Sequence, residues 1–242
     1  MKAGLATLVL ASSLTIQATA GQASSLAIQT TTGQSTAEQT LAGTVVTTPP
    51  DKPSPSATYL FYLHGRIIEN SGPRPTDPRF GLYDYPAVLD ALASRGAVVI
   101  SAQRPANSNS YAYAGTLVAQ IEQLIEAGVP ERNIVVVGFS KGGGITTRVS
   151  SYLHRPELRY VLLASCPEGS VPPSLRLSGR VFSIYEASDT LGASCRHFMD
   201  YPEKPVSFKE LKIDTGKLHG AFYQPLPEWL NPVLDWVHGT AE

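Results

Sequence analysis

Short, unbroken apolar runs rich in β-branched and aromatic residues recur along the chain, separated by amphipathic stretches and by loops rich in Gly and Pro. The clearest runs are 58–63 (TYLFYL), 97–101, 134–137 (IVVV), 159–165 (RYVLLAS) and 180–186 (RVFSIYE). Runs with so little polar alternation predict strands buried on both faces, as in a parallel sheet. Residues 41–48 (LAGTVVTT) and 206–213 (VSFKELKI) predict a first and a last strand. Helical patterns lie between them. Segment 86–96 opens with Pro86 in its first turn and stops at Gly96. Segment 113–127 carries Leu117, Ile121, Leu124 and Ile125 on one face and ends at Gly128-Val129-Pro130. A closing helix over 226–237 is expected to be interrupted near Pro232. Residues 49–55, 103–110 and 170–179 read as connectors, and 66–85 as one long Gly/Pro loop of the kind that is usually functional or mobile. The alternation predicts an α/β fold with a mostly parallel sheet of about six to eight strands and helices on both faces.

One stretch joins this pattern to chemistry. The run 134–137 leads into Gly138-Phe139-Ser140-Lys141-Gly142, and Ile145, Val149, Tyr152 and Leu153 then recur at helical spacing. Strand, G-x-S-x-G turn and helix arrive in the order of a nucleophile elbow. In that turn the serine is held in a strained conformation above the sheet edge. Glycines two before and two after it let strand and helix approach closely. Its hydroxyl sits near a helix N-terminus, where backbone N–H groups stabilise developing negative charge. The bland alternative is a glycine-rich turn with an incidental serine.

Composition narrows the setting. The chain has 242 residues, 43% hydrophobic and 16% charged, with a formal net charge of -1. That suits one α/β domain and gives no basic surface for nucleic acid or an anionic membrane. At the N-terminus Lys2 precedes a mostly apolar stretch to Ile16, and Ala18-Thr19-Ala20 fits a signal-peptidase site. The expectation is a signal peptide over 1–20, a flexible polar Gln/Ser/Thr/Gly segment over 21–40, and one domain over 41–242. No later segment is long and apolar enough to span a bilayer, so a periplasmic or secreted protein is expected. An oxidising compartment allows a disulfide between Cys166 and Cys195, which both follow expected strands. The alternative is two partly buried thiols, and their wide spacing is no zinc site.

A serine hydroxyl needs a base to take its proton and an acid to orient that base. Behind an elbow the chain order is Ser, then Asp or Glu, then His. Asp189, in the loop directly after strand 180–186, is the preferred acid; Glu186 ends the strand itself, and Asp200 and Asp214 are more remote. His219, glycine-flanked after the last strand, is preferred as base over His154, His197 and His238. The oxyanion hole needs two backbone donors. Lys141, the residue after the serine, supplies one. Arg66, or Gly65 as second choice, supplies the other from the turn after TYLFYL. His64 reads as a brace for that turn. Arg66, Arg74, Arg79 and Arg104 read as solvated loop charge, with preference for an anionic substrate as the sharper alternative.

Together these features resemble the α/β-hydrolase superfamily. Phe61-Tyr-Leu-His-Gly-Arg-Ile-Ile-Glu69 and Gly138-Phe-Ser-Lys-Gly142 are similar to small exported bacterial α/β hydrolases of unassigned function, over roughly residues 57–238. The resemblance implies the hydrolase sheet in full or trimmed form, and carboxyl-ester chemistry on a small-molecule acyl substrate. No metal or organic cofactor is expected. There is no complete His-Gly-Gly-Gly motif, which argues against the hormone-sensitive-lipase type. No large helical cap insertion is visible, which argues against large lipids. A serine peptidase or thioesterase would use the same residues, and an exported binding protein without catalysis would use only the fold.

Overall fold

The computed structural model describes Met1, residues 43–166 and residues 174–240. The chain divides into two units, Met1–Ala37 and Glu38–Glu242, and the fold below is that of the second. The expected signal peptide and polar segment lie, Met1 apart, outside the described residues, as do 41–42 and the 167–173 part of the connector.

In chain order the elements are β1 (Val45–Val46), β2 (Tyr59–Leu63), α1 (Arg66–Ser71), β3 (Thr76–Asp77), β4 (Gly81–Leu82), α2 (Tyr85–Ala93), β5 (Val98–Ile100), α3 (Ser110–Glu126), β6 (Ile134–Phe139), α4 (Lys141–Leu153), β7 (Arg159–Leu163), β8 (Arg180–Glu186), β9 (Ser207–Ile213) and α5 (Pro227–Val237). Seven strands form one sheet in the order β1-β5-β2-β6-β7-β8-β9, every pair parallel. β3 and β4 make a separate antiparallel hairpin.

Successive strand side chains point to opposite faces, so each central strand feeds two cores. Leu60, Tyr62, Val135, Val137, Val161, Leu163, Phe182 and Ile184 pack with α2 and α5 on one side. Tyr59, Phe61, Val136, Tyr160, Leu162 and Val181 pack with α3 and α4 on the other. The helix starts follow local chemistry. Asp84 caps α2 by accepting the Ala87 N–H, and Asn109 caps α3 by accepting those of Tyr111 and Ala112.

Two expectations are corrected. The segment 66–85 is not one irregular loop: it holds the six-residue helix α1 and the β3–β4 hairpin. α5 runs continuously through Pro232. A proline inside a helix costs about 3 kcal/mol. Burial of Trp229, Val233, Trp236 and Val237 on α5 offsets that cost, at about 1.5–3 kcal/mol for each large apolar side chain.

The chain leaves β2, adds β5 on one side of it, then returns to place β6 on the other side and proceeds to β9. The order therefore reverses between β2 and β6. In open parallel sheets the crevice beyond the strand ends at such a reversal is where ligands bind.

Candidate active site

Ser140 stands at the end of β6, at that reversal. Its backbone has φ 54 and ψ -119, a region that costs a non-glycine residue of order 1–3 kcal/mol. Two hydrogen bonds hold it there: Ser140 N–H to the Leu163 carbonyl at 2.9 Å and Gly144 N–H to the Ser140 carbonyl at 3.1 Å. The flanking glycines are fixed by space. A Cβ on Gly138 would lie 2.3 Å from Thr146 Oγ1, and one on Gly142 would lie 1.9 Å from the Leu63 carbonyl oxygen. Gly142 is thus where α4 crosses the end of β2. Serine at a helix start ordinarily caps the helix with its hydroxyl. Ser140 makes no such bond, and it lines a cavity instead.

His219 lies in a 3-10 turn, 218–222, after β9, and Asp189 lies in the loop after β8. Asp189 Oδ2 is 2.7 Å from His219 Nδ1, and both side chains are almost wholly buried, at 1% and 6% exposure. Asp189 Oδ1 accepts the Leu191 N–H at 2.8 Å, which fixes the carboxylate plane. The imidazole rests against Phe139 and Phe80, with ring centroids 4.7 and 5.7 Å away. Gly220 allows this turn to meet Phe80, whose carbonyl oxygen would be 2.4 Å from any added Cβ.

Ser140 and His219 open onto one cavity of about 380 Å³. Gly65, Arg66 and Ile67 form another part of its wall, and Phe80, Leu191 and Tyr223 give it apolar surface. Gly65 is close to the serine: an added Cβ would be 3.7 Å from Ser140 Cβ. Arg66 opens α1 as Lys141 opens α4. First-turn N–H groups have no carbonyl one turn back to bond. The sequence-selected residues Gly65, Arg66, Ser140 and His219 thus line one cavity, and Asp189 bonds His219 behind it. None of Asp200, Asp214, His154, His197 and His238 is part of that lining.

Glu186, the rival acid, is used differently. It is 1% exposed. Its Oε2 accepts the N–H and hydroxyl of Ser188, both at 2.6 Å, and its Oε1 accepts the N–H groups of Thr215 and Gly216 at 2.9 and 3.1 Å. It therefore ties the Asp189 loop to the segment that leads to His219. Burial pushes its pKa up, but the bonds from Ser188, Thr215 and Gly216 prevail and hold the carboxyl below its ordinary range.

The loop arginines divide. Arg66 and Arg79 line the cavity, and Arg79 lies 3.7 Å from Asp77. Exposed Arg74 pairs with Asp84. Arg104 is corrected: it is 1% exposed, not solvated. Its Nε donates to Glu69 Oε1 at 2.7 Å, its N–H donates to His64 Nε2 at 2.9 Å, and its Nη2 donates to the His64 carbonyl. His64 braces the turn, donating from Nδ1 to the Gly65 carbonyl at 2.9 Å. Burial first, and the Arg104 charge second, lower its pKa to about 3, so it remains neutral. Glu69, missed in the sequence, accepts from Lys141 Nζ at 2.6 Å and from Ser108 Oγ at 3.0 Å. The one signal for it was its place beside Ile67-Ile68 directly after the His-Gly turn.

Cys166 and Cys195 form a disulfide. Beside it Cys166 bridges to Ala193, whose N–H donates to the Cys166 carbonyl, and Gly192 packs on Ala164 so closely that a Cβ would lie 2.3 Å from its carbonyl oxygen. The Asp189 loop is thereby anchored to the end of β7. No helix among the described residues is long and apolar enough to cross a membrane.

A parallel sheet that reverses at a glycine-bounded serine elbow, with helices on both faces, is the α/β-hydrolase fold. Among the described residues no helical domain covers the strand ends. No protein-family model matches the chain, and no curated protein matches it. Among solved structures, SOBER1 of Arabidopsis thaliana aligns with a TM-score of 0.49 at 10% identity, over 77% of this chain and 100% of that one. A Xanthomonas campestris protein described as an α/β serine hydrolase without lid aligns with a TM-score of 0.47 at 13% identity, over 78% of this chain and 85% of that one.

Proposed function

We propose that the protein is a serine hydrolase that cleaves a small carboxylic ester or related acyl bond. The observation that carries this reading is the 2.7 Å Asp189–His219 contact beside a cavity that His219 shares with the elbow residue Ser140. In this reading Ser140 Oγ attacks the substrate carbonyl while His219 Nε2 takes its proton. Asp189 holds the Nδ1–H, fixing the tautomer, and stabilises the imidazolium. The Lys141 and Arg66 N–H groups receive the oxyanion, with the Gly65 N–H beside them. The tetrahedral intermediate collapses to an acyl-enzyme as His219 returns the proton to the leaving alcohol. Water, deprotonated by His219, then releases the acid. The strained backbone of Ser140, the missing cap bond and its place in the cavity lining support its role as the nucleophile.

The cavity of about 380 Å³, without a cap among the described residues and walled by Phe80, Leu191 and Tyr223, suits a short or compact acyl group. The disulfide supports residence in an oxidising compartment, hence export. The test is hydrolysis of p-nitrophenyl acetate by wild type, Ser140→Ala and Asp189→Asn. The reading requires wild-type turnover, near-complete loss in Ser140→Ala, and a fall of about 10⁴-fold in kcat for Asp189→Asn. Turnover unchanged in Ser140→Ala would refute it.

A further inference from the structure

The elbow lysine has a side chain that the mechanism above does not use. Lys141 Nζ turns back to Glu69 Oε2 at 2.6 Å and to the Ser108 carbonyl at 2.8 Å. Glu69 stands on α1, one turn after Arg66, and its side chain is 0% exposed. Lys141 opens α4. The ion pair therefore spans from the helix that begins with one oxyanion donor to the residue that supplies the other.

α1 is otherwise held by Ile67 and Ile68, which pack on the core, and by Gln103 Nε2, which donates to the Ile68 carbonyl at 3.1 Å. It is six residues long, its Gly65 cap provides no side-chain bond, and Ile68 and Glu69 are its only buried residues. An isolated helix of that length is unstable. Buried charge-assisted hydrogen bonds are stronger and more directional than neutral ones. Both Glu69 oxygens are engaged, Oε1 by Arg104 and Ser108, Oε2 by Lys141. The same network orients the donor peptide. His64 Nδ1 holds the Gly65 carbonyl, and in a planar trans peptide the Arg66 N–H points to the opposite side. Arg104 in turn holds the His64 ring and carbonyl.

We propose that Glu69 is a positioning residue for the proposed reaction: through Lys141 Nζ it sets the spacing of the Arg66 and Lys141 N–H groups that receive the oxyanion. This rests on the serine-hydrolase reading. It assigns the lysine side chain to alignment of the donors, not to contact with substrate. Misplacing a donor by a fraction of an ångström lowers kcat and leaves KM for a small ester nearly unchanged, because the bond is strongest in the transition state.

The test compares wild type, Lys141→Met, Lys141→Arg and Glu69→Gln. Lys141→Met keeps the backbone donor and most of the stem, and leaves Glu69 paired with Arg104. Each protein is assayed on a p-nitrophenyl ester and on the matching thionoester, in which sulfur takes the oxyanion's place. The ratio of the two kcat/KM values reports donor geometry, and general loss of folded protein does not move it. Thermal melting monitors folding. We expect Lys141→Met to lose roughly 10- to 100-fold in kcat and a similar factor in the ester-to-thionoester ratio. Lys141→Arg should recover most of both, and Glu69→Gln should fall between wild type and Lys141→Met. If Lys141→Met does not fold, Glu69→Gln and Lys141→Arg decide by the same ratio. A ratio within twofold of wild type in the folded variants overturns the proposal, whether or not kcat falls, and leaves the hydrolase reading intact. Absence of wild-type turnover on any ester instead overturns the reading beneath it.

Discussion

Buried His64 makes the protein's acid stability calculable. Its pKa is lowered to about 3, against about 6.5 in an unfolded chain. The sign follows from proton counts. Above pH 6.5 neither state binds a proton at this site, and its contribution is fully present. As pH falls below 6.5 the unfolded chain takes up a proton that the folded one refuses, so stability is lost until pH reaches about 3. At 1.36 kcal/mol per unit the whole interval corresponds to about 5 kcal/mol, and the step from pH 7.5 to 5 to about 2 kcal/mol. Burial also lowers the His238 pKa, so the wild-type slope contains more than one group. The difference between wild type and His64→Gln isolates this one. Glutamine offers an acceptor to the Arg104 N–H and does not titrate. The assay is urea unfolding at pH 7.5 and pH 5. Wild type should lose about 2 kcal/mol more than His64→Gln over that step. Equal losses would refute the claim that His64 is held neutral in the fold.

Other consequences follow from contacts in the site. Gly142→Ala puts a Cβ 1.9 Å from the Leu63 carbonyl oxygen, so α4 must shift; thermal melting should show a loss of at least about 2 kcal/mol and ester turnover should vanish. Glu186→Gln replaces one accepting oxygen by a donor opposite other donors; denaturant titration should show roughly 2–4 kcal/mol of destabilisation at pH 7. Its lowered pKa means that this contribution is present above the ordinary carboxyl range and disappears as pH falls through the folded value, so the gap from wild type should close in acid. The disulfide closes a separation of 29 residues, which a chain-entropy treatment values at roughly 3–4 kcal/mol. Cys166→Ser with Cys195→Ser should lower the urea midpoint accordingly, and should weaken kcat more than KM because the Asp189 loop loses its anchor.

What was readable in the sequence was what is encoded locally. The elbow strand is apolar throughout, Gly138 is demanded by contacts with Gly142 and Thr146 a few residues on, and the Ser–Asp–His order is a property of the chain; Gly142 completes the same short motif, although the Leu63 carbonyl that demands it lies far upstream. The two-residue strands β3 and β4 are too short to show alternation, and α1 is hidden by the glycines and prolines that surround it. Arg104 looked like loop charge because its partners, Glu69 and His64, lie 35 and 40 residues away in sequence. Lys141 showed only its backbone role, since the carboxylate that draws its side chain back is 72 residues upstream. Pro232 signalled a break, and the burial of Trp229 and Trp236 on either side of it overrode the local cost.

The most direct test of the central claim is covalent labelling of the folded protein with a fluorophosphonate, read by intact mass and peptide mapping. One adduct per chain is expected, on Ser140, absent in Ser140→Ala and formed at least about 100-fold more slowly in His219→Ala. Folded wild type that gains no adduct, or an adduct that persists in Ser140→Ala, would contradict that claim.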